Sequence, residues 1–185
     1  MRTEGVRVDV GAWDWQSPAW GEEYYPEDLP QEWRAAYYTN EFRCAGLPAA
    51  AWSAVQLRAW REDLPEHFAL WLECGPAQLA DPEVVPALAA LGSRLSGIWL
   101  GGRGDPAALR ASGIRVIEAP WDAGRRLGEA AVGLYRADTE LDLRAAREVL
   151  EAFAAAPGPQ CRQLLVTGAP AQLSRLRELG ELLGF

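Results

Sequence analysis

Seven charged side chains stand just beyond apolar runs of the kind that form buried strands: Asp14, Glu73, Arg103, Glu118, Asp122, Arg136 and Asp138. Gathered at one rim, carboxylates and guanidinium groups can supply a general acid and base. They can also offer oxygen ligands to a hard cation. Hydrolysis of a glycoside needs two carboxyls roughly 5–9 Å apart across a sugar-sized cleft. The pairs that could meet this condition are Asp14–Glu73, Glu73–Glu118 and Glu118–Asp138. The competing reading is a solvated rim with ordinary ion pairing, and no metal is expected there. The single histidine, His67, precedes a strand and so belongs to the opposite end of the fold. That placement argues against a histidine-based triad and, with scattered cysteines, against zinc.

Aromatic side chains crowd the same ends. Trp13, Trp15, Trp20, Tyr24 and Tyr25 fall within thirteen residues, and Trp121 joins them from later in the chain. Aromatic faces beside carboxylates and Arg can bind sugars, bases or a partner protein. The ligand-binding set is therefore Trp13, Trp15, Trp20, Tyr25, Trp121 and Arg136. Packing is the rival use: the same rings could plug the mouth and anchor a long loop. Trp52, Trp60, Trp71 and Trp99 are read as core residues.

These side chains need a scaffold. Strand-like runs occur at 6–13, 43–47, 68–74, 96–100, 114–119, 131–136 and 162–167. Most are continuously apolar, the pattern of strands buried on both faces of a parallel sheet. Helical stretches lie between them at 30–42, 82–91, 141–156 and 171–183. The clearest is 141–156, with Leu143, Ala146, Leu150 and Phe153 on one stripe and Thr139 as its expected N-cap. Gly101-Gly102-Arg103-Gly104-Asp105 reads as a tight turn with Asp105 capping a short helix, not as an anion loop. Strand–helix alternation predicts a parallel (β/α) barrel-like α/β domain of seven or eight strands. At 185 residues the chain is short for a complete TIM barrel, and it is expected to form one domain over 1–185.

Composition removes other classes. The formal net charge is −8, and all 18 basic residues are Arg. Arg and Ala bias without Lys is the mark of a GC-rich bacterial genome. It excludes Schiff-base and P-loop lysines. An acidic chain without a basic run is a poor partner for nucleic acid. Cys44, Cys74 and Cys161 have no metal or redox spacing, and their odd number suits a reduced cytoplasm. No apolar run is long enough for a membrane span.

The region 8–52 carries a further signal. VGAWDW closes the first strand, EEYYPEDLP follows at Glu22–Pro30, then Trp33, the pair Tyr37–Tyr38, Phe42 and a second strand leading to Leu47–Pro48. This order resembles the amino-terminal signature of the TIM-barrel-like family called domain of unknown function 72 (YecE-like). From Leu134-Tyr135-Arg136 onward the closing βαβα fits in outline. The resemblance also implies losses. Where the family carries Glu-Ile-Asn this chain has Gly46-Leu47-Pro48, followed by Ala51-Trp52. The Lys ending strand three becomes Glu73. A His-Gly pair becomes Ala137-Asp138, and an Asn-rich strand end becomes Thr167-Gly168. The chain therefore reads as a shortened, diverged member: a non-catalytic barrel binding a small molecule or a protein, without cofactor, with no oligomeric state set by the sequence. The alternative is a carboxylate-dependent hydrolase or isomerase acting on a sugar or phosphosugar.

Overall fold

The computed structural model describes residues 5–122, 130–137 and 141–185. Seven strands run through them: β1 (Arg7–Trp13), β2 (Cys44–Leu47), β3 (Ala69–Cys74), β4 (Leu95–Leu100), β5 (Val116–Ile117), β6 (Val132–Arg136) and β7 (Cys161–Thr167). Eight α-helices accompany them among the described residues: α1 (Pro18–Glu23), α2 (Arg34–Thr39), α3 (Ala54–Asp63), α4 (Pro76–Ala80), α5 (Val84–Ala90), α6 (Ala107–Ala111), α7 (Leu143–Ala155) and α8 (Pro170–Leu183). Strand neighbours follow the order β5-β4-β3-β2-β1-β7-β6, and every ladder is parallel. This is the curled, barrel-like α/β sheet that the apolar runs predict.

Side-chain alternation divides the sheet into an inside and an outside. Val8, Val10 and Ala12 of β1, Ala45 and Leu47 of β2, and Leu70 and Leu72 of β3 face outward. They pack with Leu57, Trp60, Leu88, Leu150, Phe153, Leu173 and Leu176 of the helical layer. The intervening positions form a second cluster. Trp13, Cys44, Trp71, Trp99, Ile117, Val132 and Leu165 contribute one residue from each of the seven strands. A flat sheet could not bring these seven together, so the sheet must curl around them. Trp121 joins the two edges. Its N–H donates to the Val132 carbonyl (2.8 Å) and its carbonyl accepts from the Leu134 N–H (2.8 Å). This parallel bridge to Gly133 links the chain beyond β5 to β6.

Tyr38 of α2 repairs a gap in the ring. Its side chain is fully buried. The Ala12 N–H donates to Tyr38 Oη (2.8 Å), and the Tyr38 hydroxyl donates to the Cys44 carbonyl (2.9 Å). One hydroxyl thus satisfies a donor on β1 and an acceptor on β2. Tyr38→Phe leaves both unpaired while preserving the ring, so it should cost about 1–3 kcal/mol. Thermal unfolding checks this. A loss below about 0.5 kcal/mol would show that the two backbone groups find other partners.

Two local expectations change. Helix α7 is capped by Asp142, whose carboxylate accepts from the N–H groups of Arg144 and Ala145. Thr139 lies outside the described residues. Strand β5 is only two residues long, because the Ile114 N–H turns back to the Leu109 carbonyl at the end of α6 instead of joining the sheet.

Candidate functional site

Asp14, just beyond β1, has φ +62°, in the left-handed region that Asp tolerates better than most residues. Its N–H donates to the Gly46 carbonyl (2.8 Å), and its own carbonyl accepts from the Ser17 N–H (3.0 Å). Burial raises the Asp14 carboxyl pKa, opposed by a hydrogen bond from the Gln16 backbone. Trp13 is the last inward residue before this turn. It stands opposite Gly46 of β2. A Cβ on Gly46 would lie 2.6 Å from the Trp13 ring, so only glycine leaves the indole its place. Trp13 stacks on Trp99 of β4 with ring centroids 5.0 Å apart and planes at 24°. Strands β1 and β4 are not neighbours in the sheet, so the two rings meet across the barrel.

These indoles help to wall a cavity of about 370 Å³, lined also by Pro48, Glu73, Leu100, Glu118, Ala119, Pro120, Asp122, Leu134 and Arg136. Trp13, Leu100 and Arg136 are the last residues of β1, β4 and β6, and Pro48 and Glu118 directly follow β2 and β5. The cavity therefore opens at the carboxyl ends of the strands, where barrels of this architecture place their sites. Glu73 is held on two sides. Its Oε2 accepts from the Ala49 N–H (3.2 Å), and its own backbone carbonyl accepts from Trp52 Nε1 (2.9 Å). A Cβ on Gly101 would come within 2.4 Å of Glu73 Oε1, so the glycine makes room for the carboxylate. Glu118 and Arg136 are exposed at the rim. Among the described residues no three His, Cys, Asp or Glu come together as a metal site would require.

Of the carboxylates singled out from sequence, Glu73, Glu118 and Asp122 share this cavity. Asp14 does not line it, and Asp138 lies outside the described residues. Arg103 is exposed on the turn after β4, and Asp105 accepts from the Ala107 N–H (2.9 Å) ahead of α6. His67 is exposed on the approach to β3, at the amino end of the sheet.

The aromatic set divides. Trp13 and Arg136 reach the cavity. Trp15, Trp20, Tyr25 and Trp121 are buried in the outer core instead. Trp15 packs edge-on to Tyr38 (4.5 Å) and stacks on Phe68 (5.6 Å), Trp20 meets Tyr24 (5.0 Å), and Trp121 lies against Phe153 (5.0 Å). The left-handed turn at Asp14 sends the chain outward, so the loop's rings seal the helical layer and leave the mouth open. Trp99, Leu134 and Pro48 are lining residues that the sequence reading left out. An alternation count along β4 would have put Trp99 inside, at the same level as Glu73, its register partner on β3.

Seven parallel strands curled around a mixed indole and aliphatic interior, with a cavity at their carboxyl ends, define a barrel-like α/β protein. The fold is similar to that of a DUF72 family protein from Enterococcus faecalis known from its crystal structure. The superposition has a TM-score of 0.57 over 98% of this chain and 99% of that one, at 8% identity. At that identity the likeness is one of fold. No family model matches the sequence, and no curated protein matches it. No helix among the described residues is long and apolar enough to cross a membrane.

Proposed function

We propose that this protein is a diverged YecE-like barrel whose mouth binds a small organic molecule without transforming it. The observation that carries the reading is the open cavity of about 370 Å³, with Trp13 and Trp99 in its wall and charged groups around it. Its size falls within the range of small-molecule sites, and its apolar wall with a few convergent polar groups has their character. Against catalysis stands the chemistry of the lining. Among the described residues it contains no His, Cys, Lys, Ser or Thr. Glu73, partly buried, already accepts a backbone hydrogen bond.

A thermal-shift screen of sugars, phosphosugars, amines and nucleosides tests the reading. A ligand at about one hundred times its Kd should add about 2.7 kcal/mol of stability, and Trp13→Leu should abolish the shift. If no compound shifts the wild type, or the Trp13 variant responds equally, the cavity is not a binding site. One observation favours the hydrolase reading as runner-up: Glu73 and Glu118 line the same cavity. Turnover of any sugar substrate, abolished by Glu73→Gln, would replace binding with hydrolysis.

A further inference from the structure

We infer that the outer face of helix α2 docks a basic segment of another protein, one presenting Arg or Lys beside an aliphatic side chain. This surface lies outside the barrel and stands apart from the proposal for the mouth. Of the nine tryptophans, Trp33 alone is exposed, at 64% of its surface. It immediately precedes α2, and Tyr37, four residues on, shows 37% on the same side of the helix. Among the described residues no other ring packs on the Trp33 indole, so it is open to a partner. Tyr37 meets Tyr24 (5.5 Å) and Tyr25 (6.0 Å), which ties the loop 22–28 to this side of α2. Trp and Tyr are the side chains on which protein interfaces most often anchor.

Charge selects the partner. Glu22, Glu23, Glu27, Asp28 and Glu32 are all exposed, and exposed Asp63 lines a groove with Glu32 between α2 and α3. Among the described residues none of these six carboxylates makes an ion pair or a side-chain hydrogen bond. Cations of the same elements are engaged elsewhere: Arg58 with Glu83, and Arg61 with Glu62 (3.7 Å). Arg34, the one cation between positions 20 and 42, lies over the Tyr25 ring, 4.9 Å from its centroid. An open indole attracts a guanidinium or ammonium group through its π face, and carboxylates around it steer the same group and pair with it. The groove, of about 290 Å³, has Ala35, Ala59 and Trp60 in its wall, so an aliphatic side chain fits between its acidic lips. The Gln16 and Gln31 amides there can meet the partner's backbone. The same field repels phosphates of nucleic acid and anionic membrane surfaces. It also repels a second copy, which brings a net charge of −8 of its own.

The test is fluorescence anisotropy with three labelled peptides: two Arg-Leu-Arg-Gly units in tandem, the same peptide with citrulline for each Arg, and the same with Glu for each Arg. The Arg peptide should bind and the Glu peptide should not. Citrulline keeps the shape and loses the charge, so its peptide should bind at least about tenfold more weakly. Salt raised from about 0.05 to about 0.5 M should weaken the Arg peptide about tenfold. Trp33→Ser should weaken it about tenfold while leaving the melting temperature in place, since the indole is exposed. Glu27→Gln, Asp28→Asn and Glu32→Gln combined should weaken it as much, and they decide the matter should Trp33→Ser fail to fold. Glu148→Gln, Glu151→Gln and Glu178→Gln combined remove the same charge from α7 and α8, and should leave affinity within about twofold of wild type. The inference is overturned if the Arg peptide does not bind or the citrulline peptide binds as tightly. Equal weakening by the two triple substitutions overturns it too, by showing attraction to net charge alone. Sedimentation showing a wild-type dimer that Trp33→Ser dissolves would also overturn it, by placing a second copy on this face.

Discussion

Gly11→Ala should destabilise the protein by about 4 kcal/mol or more, a loss that few single methyl groups produce. Gly11 is an inward position of β1. A Cβ there would lie 2.1 Å from the Cys44 carbonyl oxygen and 2.6 Å from Cys44 Sγ. The nearest obstacle is backbone, not the end of a flexible side chain, so the added methyl can be accommodated only if β1 and β2 separate. They are already at their limit, because Tyr38 bridges Ala12 and Cys44 immediately beside this point. Cys44 cannot retreat, since it is fully buried in the inner cluster. A melting temperature lower by roughly 10–15 °C is the expected readout. Gly180→Ala is the control. It sits inside α8, and a Cβ there meets nothing within 4 Å. That change should be neutral or stabilising by up to about 1 kcal/mol. Equal behaviour of the two variants would mean that β1 and β2 are not packed this closely.

The same residues show what a reader of the sequence can and cannot extract. The strands are legible because both faces of each are buried, and long apolar runs such as Ala69–Cys74 are hard to explain otherwise. Helix α7 is legible from its stripe. Helix α3 was missed, although Ser53 ahead of it caps the Gln56 N–H, a signature readable in the sequence. What apolar runs conceal is which side chain goes inward. Trp71 and Trp13 fit inside only because Gly97 and Gly46 give up volume: a Cβ on Gly97 would meet Trp71 at 2.6 Å, and one on Gly46 would meet Trp13 at 2.6 Å. That complementarity joins strands far apart in sequence and leaves no local pattern. The site was half legible for a related reason. Strand ends pointed to Trp13, Glu73, Glu118 and Arg136, and these four line one cavity. Trp15, Trp20 and Tyr25 were expected there because they follow the same strand end. One residue in the left-handed region, Asp14, turns them into the outer layer, where partners such as Tyr38 and Phe68 come from other elements. Nothing within the loop itself encodes that choice.

Arg162→Met should cost about 4 kcal/mol, through helix α7 more than through the sheet. Arg162 lies on the outward face of β7 with only 3% of its surface exposed. Its guanidinium reaches the end of the preceding helix and the loop after it. Nε donates to the Pro159 carbonyl (2.7 Å), Nη1 to those of Phe153 (2.6 Å) and Ala156 (2.8 Å), and Nη2 to that of Gly158 (3.4 Å). The last carbonyls of any helix lack partners within it. Helix α7 has no basic residue in its own last turn, and its C-cap, Ala156, is extended and not left-handed. The cap is therefore supplied from the next strand, and burial lowers the guanidinium pKa without removing its charge. Methionine keeps much of the apolar stem and removes every donor, leaving several enclosed carbonyls unpaired at about 1–3 kcal/mol for each one that water cannot reach. Arg162→Lys restores a charge but not the planar fork that spans the loop, so it should recover only part of the loss. Hydrogen exchange separates this account from general loosening. Amides in the last turn of α7 and in the loop 156–160 should lose protection first, while those of β1 and β2 stay slow. Uniform loss of protection across the sheet, or an Arg162→Met variant within about 1 kcal/mol of wild type, would show that the helix end is satisfied by water and that Arg162 is merely buried beside it.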